Sequence, residues 1–200
     1  MFRFALAAMA ATVLGVSAQA APLKIGSEMP KFAGLECAVS GKTCSAGDLK
    51  DKDVIVLCVT CNHCPMAVMY EDRLVKFGKE FAGKDSKVAF LAVNVSNMDA
   101  DKLDKMKERA KEKGFTFGYV YDPSQKIAKD LGASRTPEFF VFDKNRRLVY
   151  TGAMDDNGTA DKVTKHYLED AVKAALKGEA PATQTTTARG CGIAWDKDTK

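Results

Sequence analysis

The chain has little histidine and little tryptophan. It has two histidines, His63 and His166, and one tryptophan, Trp195. Its 30 basic and 26 acidic residues leave a formal net charge of +4. So mild an excess argues against nucleic acid and against an acidic membrane surface as partners. No second closely spaced cysteine pair completes a four-ligand zinc set. After the first twenty residues no long apolar run occurs, so nothing there offers the ~20 residues of a membrane-spanning helix. What the chain does hold is six cysteines, Cys37, Cys44, Cys58, Cys61, Cys64 and Cys191.

Residues 1–20 read as an export signal. Arg3 gives the positive start, Phe4 to Val16 is almost wholly apolar, and Ala18-Gln19-Ala20 has the small-x-small form of a cleavage site. The expected mature start is Ala21, and the expected location is periplasmic or secreted, with no stable membrane insertion after cleavage. Loss of this segment removes Arg3 and leaves one domain of ordinary size over 21–177, followed by a tail over 178–200. In such a compartment disulfides persist. Phe32 to Val39 reads as a strand, Ser40-Gly41-Lys42 as a turn, and Thr43 begins the return. Cys37 and Cys44 flank that turn, so a structural Cys37–Cys44 disulfide is expected across this N-terminal β-hairpin.

Val54 to Thr60 is apolar without clean alternation, the pattern of a strand buried on both faces. Tyr70, Leu74, Phe77 and Phe81 then recur at helical spacing. Lys87 to Val95 is a second buried strand. Asp99 to Lys113 is a charged helix that Gly114 ends. Phe115 to Tyr121 is a strand, and Pro123 opens a helix that runs to Leu131. Glu138–Phe142 and Arg147–Thr151 are antiparallel strands, and Val163 to Leu176 is a last helix. A parallel start and a hairpin finish make an α/β sandwich around a mixed sheet. Gly178 to Arg189 has no apolar period, and the Gly190–Trp195 end reads as a clip that docks back.

Cys61-Asn62-His63-Cys64 joins the first buried strand to the first helix. Two thiols at this spacing can close a small disulfide ring that reopens by exchange. The first sulfur is expected at the helix N-terminus, where free amides and the macrodipole favour a thiolate. Pro65 fits the first helical turn, where a missing N–H costs little. Cys58 lies mid-strand and reads as an inert buried hydrophobe.

Cys61-Asn62-His63-Cys64-Pro65 after a strand, with Arg135-Thr136-Pro137-Glu138-Phe139-Phe140 before a hairpin, resembles the thioredoxin superfamily. Within it the chain is similar to the peroxiredoxin-like redoxins of the alkyl hydroperoxide reductase and thiol-specific antioxidant group that keep a CxxC. The likeness implies a thioredoxin-like three-layer sandwich with helices on both faces of the sheet. It also implies a thiol–disulfide oxidoreductase acting on protein dithiols or disulfides, with no bound cofactor and no metal. Cys61 would be the exposed nucleophile and Cys64 the buried resolving thiol. Pro137 would be a cis proline facing them, and Thr136 would offer its backbone to a partner strand. His63 would stabilise the Cys61 thiolate and lean the couple toward an oxidant. Cys191 is a candidate accessory redox residue. A departure stands at Ile55, where many thioredoxins carry a buried acid; Glu71 or Glu138 would have to substitute.

Two rivals remain open. A thiol peroxidase would use Arg135 to stabilise the thiolate, but no proline precedes the cysteine as in that pattern. A copper carrier would use Cys61 and Cys64 as soft ligands and would need a distant histidine, for which His166 alone is available. Met66, Met69 and Met106 fit core packing better than a metal site.

Overall fold

The computed structural model describes residues 21–196. The export-signal reading of 1–20 lies outside the described residues. A short N-terminal hairpin, β1 (Leu35–Cys37) and β2 (Thr43–Cys44), precedes the long strand β3 (Val54–Thr60). There follow helix α1 (Pro65–Phe81), β4 (Val88–Asn94), α2 (Leu103–Lys113), β5 (Gly118–Tyr121) and α3 (Lys126–Leu131). A two-residue strand β6 (Arg135–Thr136), the hairpin β7 (Glu138–Phe142) and β8 (Leu148–Gly152), helix α4 (Tyr167–Lys177) and a last short strand β9 (Cys191–Gly192) complete the chain. The main sheet runs β2-β1-β5-β4-β3-β7-β8, with β3, β4 and β5 parallel and the rest antiparallel.

β3 and β4 are apolar throughout because both faces of the sheet are covered. Val54, Val56 and Cys58 point to one core with α1, α2 and α4. Ile55, Leu57 and Val59 point to the other, with α3, the segment Leu23–Phe32, and Ile193 and Trp195 of the tail. Each of these fully buried aliphatic side chains contributes about 1.5–3 kcal/mol relative to exposure. Cys58 is sealed in the first core, and burial pushes its thiol well up. Among the described residues no helix is long and apolar enough to cross a membrane.

The helix expected over Asp99–Lys113 begins late. Asp99–Asp101 form a 3-10 turn, Lys102 is extended, and α2 starts at Leu103. Asp101 is drawn out of the helix because its carboxylate is bonded elsewhere, as described below. The helix expected from Pro123 also starts late, at Lys126, since the Asp122 carboxylate accepts the Ser124 and Ile127 amides first. Met69, expected to suit core packing, is 53% exposed, and Leu176 of the last helix is 43% exposed.

Cys37 and Cys44, expected to be bridged, are free thiols in this structure, as are all six cysteines. The ladder sets Cys44 opposite Leu35 and Thr43 opposite Glu36. Cys37 and Cys44 are therefore diagonal neighbours across the hairpin and not a directly opposed pair.

Candidate active site

Four residues, Cys61 to Cys64, link β3 to α1. The helix begins at Pro65, whose lack of an N–H suits that first position. Cys64, not Cys61, is consequently the residue at the helix N-terminus. Both sulfurs converge on Thr136. Cys61 Sγ and Thr136 Oγ1 share a hydrogen bond of 3.4 Å, and the Cys64 thiol donates to the Thr136 carbonyl at 3.1 Å. Thr136 is buried and the Thr136–Pro137 peptide is cis. The structure thus brings Cys61, Cys64, Thr136 and Pro137 together. Cys61, expected to be exposed, is only 4% exposed, and Cys64 is fully buried.

His63 has a ring nitrogen within 4.8 Å of Cys61 Sγ and is bonded to an acid that sequence reasoning missed. Its Nδ1 lies 2.5 Å from Asp101 Oδ2, and Asp101 is fully buried. The same carboxylate accepts the Asn62 amide at 2.6 Å, the His63 amide at 3.1 Å and the Ser96 hydroxyl at 2.7 Å. Asn62 is pinned further by donating to Ala100 O and by accepting from the Tyr119 hydroxyl at 2.7 Å. Asp101 therefore shapes the CxxC loop through its backbone. The one signal in the sequence was a cluster of acids, Asp99, Asp101 and Asp104, where a helix starts; such acids normally complement the helix dipole from the surface.

These contacts set the acidity of the thiols. Burial pushes Cys61 up to about 11; the Thr136 hydroxyl and the Cys64 amide oppose this, while the Asp101 charge adds to it. Asp101 lies 2.5 Å from His63 Nδ1, so a positive charge on the imidazole is met there by a carboxylate. Burial would raise Cys64 too, but hydrogen bonds from Cys191, the Ala67 amide and Thr136 outweigh it and hold that thiol below its ordinary value. The acidic sulfur is the one at the helix N-terminus, in keeping with the stabilisation of anions there.

Cys191 is the third sulfur of the site. It packs on the cluster of Cys61, Cys64 and Ala67. β9 pairs antiparallel with β6, with Thr136 opposite Cys191 and Arg135 opposite Gly192. The strand edge that Thr136 was expected to offer a partner is occupied by the chain's own tail.

The residues of the rival readings lie elsewhere. Arg135 donates to the Gly190 carbonyl at 2.9 Å and makes no bond to Cys61. His166 precedes α4 and sits 3.8 Å from Glu169. Glu71 is held by Arg109 at 2.7 and 2.8 Å, and Glu138 accepts the Ser134 and Arg135 amides. Neither acid takes the place left by Ile55. Among the described residues one group could hold a metal, Cys61, His63 and Asp101, whose ligand atoms lie within 4.8 Å of one another. Both Asp101 oxygens already accept from two amides, a hydroxyl and the imidazole, so a metal there would have to strip the loop of its supports.

Two thiols at a strand–helix junction, facing a cis proline across a mixed sheet, define a thioredoxin-like fold with a thiol redox site. The Redoxin family model matches residues 24–169, and the chain belongs to that family. It is similar to a solved hypothetical protein from Sinorhizobium meliloti 1021, at 33% identity over 89% of this chain and 98% of that one, with a TM-score of 0.80. An uncharacterised conserved protein from Geobacillus kaustophilus is 30% identical over 88% of this chain and 94% of its own, also at 0.80. A thiol:disulfide interchange protein of the thioredoxin family from Chlorobium tepidum TLS shares the fold at 20% identity, over 78% of this chain and 99% of its own, with a TM-score of 0.57. Comparison with curated proteins finds no match. The family and the fold make the role a thiol redox one of oxidoreductase type.

Proposed function

We propose that the chain is an exported thiol–disulfide oxidoreductase that exchanges disulfides with protein partners through Cys61 and Cys64. The observation that carries this reading is the convergence of both sulfurs on Thr136, one on its hydroxyl and one on its carbonyl. That geometry brings the two thiols within reach of a common bond and gives each a hydrogen-bond partner in the reduced form. Cys61, with its sulfur within 4.8 Å of a ring nitrogen of the exposed His63, meets the incoming disulfide; Cys64, the more acidic, resolves the mixed disulfide. Export rests on the pattern of residues 1–20, and N-terminal sequencing of secreted protein that begins at Ala21 supports it, while a retained Met1 contradicts it.

His63 gives no bias toward an oxidant once Asp101 matches it, and burial disfavours the Cys61 thiolate. A less stabilised reduced form lowers the potential. We therefore place the couple at the reducing end. The test is disulfide reduction in insulin with a dithiol as electron source. Turnover that disappears in Cys61→Ser and in Cys64→Ser supports the reading; turnover that survives both substitutions overturns it.

A further inference from the structure

The exchange described above uses two sulfurs, yet both are buried and a third is built against them. We propose that Cys191 is a third redox thiol, which draws the disulfide from Cys61–Cys64 onto a Cys64–Cys191 bond and so carries it from the buried pair to the tail strand. This rests on the reading of Cys61 and Cys64 as an exchange pair.

The tail is placed for that contact. Thr136, whose carbonyl receives the Cys64 thiol, is the residue opposite Cys191 in the β6–β9 ladder. Cys191 packs directly on the cluster that holds Cys64. Gly190 brings the strand this close, because a Cβ there would collide with the Thr136 carbonyl and the Pro137 nitrogen. No other residue type fits that approach.

The strand is also held from both ends. Thr186 Oγ1 bonds the Tyr150 hydroxyl at 2.7 Å and accepts the Ala153 amide at 2.9 Å. Downstream, the Ile193 amide donates to Ser134 O at 3.1 Å, and Gln125 exchanges two bonds of 2.9 Å with Ala194 O and the Asp196 amide. Ile193 and Trp195 press on the second core. A tail without helical periodicity is thus fixed by pairing, polar bonds and two apolar anchors, with its cysteine facing the pair. Cys191 is half-buried where Cys61 and Cys64 are buried, so it is the sulfur of the three that an outside reductant reaches most readily.

The step is an internal exchange. Cys191 Sγ, as a thiolate, attacks Cys64 Sγ of the Cys61–Cys64 disulfide. The Cys64–Cys191 bond forms, the Cys61–Cys64 bond breaks, and Cys61 leaves as a thiolate that takes up the proton Cys191 released. The molecule stays oxidised by two electrons throughout. Cys61 is returned to the thiol form, and a dithiol partner then reduces the bond at Cys191.

The test is disulfide mapping of the dilute full chain after oxidation with one equivalent of diamide, which accepts the two electrons and two protons of a dithiol. After alkylation and trypsin, Cys61 and Cys64 fall in one peptide, residues 53–73, and Cys191 in another, residues 190–197. The proposal expects these peptides to be linked in the wild type, still linked in Cys61→Ser, and unlinked in Cys64→Ser. It is overturned if no link forms in the wild type, or if Cys64→Ser links as readily as Cys61→Ser. Cys191→Ser separates the two readings. Closure of Cys61–Cys64 within its own peptide there, without any link to 190–197 in the wild type, sinks the tail role and leaves the exchange pair standing. Failure of Cys61 and Cys64 to close in any variant sinks both.

Discussion

The hairpin pair Cys37 and Cys44 and the junction pair Cys61 and Cys64 sit in one chain with opposite outcomes. In the hairpin the pleat and register put the two thiols on a diagonal. Burial would raise Cys37, but the Ser40 hydroxyl and nearby amides hold it below its ordinary value; burial and the Asp48 charge push Cys44 up to about 11. At the junction the chain turns through two residues and both sulfurs meet the same threonine. Proximity in sequence does not by itself make a redox pair. A backbone that aims both sulfurs at one place does.

The largest effect that separates the pairs is on turnover. Cys61→Ser or Cys64→Ser is expected to abolish insulin reduction, while Cys37→Ser and Cys44→Ser leave it intact. Equal losses from both pairs would erase the distinction. Next in size is the support beneath the junction loop. Asp101→Ala leaves the Asn62 and His63 amides without their acceptor, and each such buried group costs about 1–3 kcal/mol. Urea unfolding should show a loss of about 3 kcal/mol; a change under 1 kcal/mol would mean that the loop holds itself.

A third contrast lies in pH. The thiolate is the nucleophile, and Cys61 is raised from 9.0 to about 11. In a Cys64→Ser background, alkylation of Cys61 should therefore keep rising with pH above 9. Asp101→Asn removes a charge that opposes the thiolate, so the curve should move to lower pH. A curve that levels off below pH 9 contradicts this assignment. Gly190→Ala should then unseat β9 at a cost of about 1–3 kcal/mol, the usual range for overpacking, seen as faster hydrogen exchange over 185–196 with little change around Cys37. The smallest effect belongs to the hairpin. Reductant should change the unfolding midpoint of the wild type no more than that of Cys37→Ser, whereas a real bridge would be worth about 2–4 kcal/mol.

The sheet and its order were readable because β3 and β4 are apolar on both faces and because Gly114 and Gly132 close helices in the left-handed conformation. Cys61, Cys64, Thr136 and Pro137 were legible as motifs at a strand–helix junction and before a hairpin. Asp101 was not, since nothing in a run of surface-type acids says which one turns inward. Nor could hairpin register be read, because Ser40-Gly41-Lys42 marks a turn without fixing which residues face across it. The contact of Cys191 with Cys64 joins the tail to the start of α1 through a two-residue strand too short to leave a periodic signal.

The central claim is that Cys61 and Cys64 form one reversible two-electron couple whose reduced form the loop does not favour strongly. Its most direct test is a redox titration of the full chain in dithiol buffers, with the thiols trapped and counted by mass. In Cys191→Ser the account predicts a single couple at about −270 mV, lost when Cys61 or Cys64 is also replaced by serine; a couple at about −120 mV, or none involving these two residues, would contradict it.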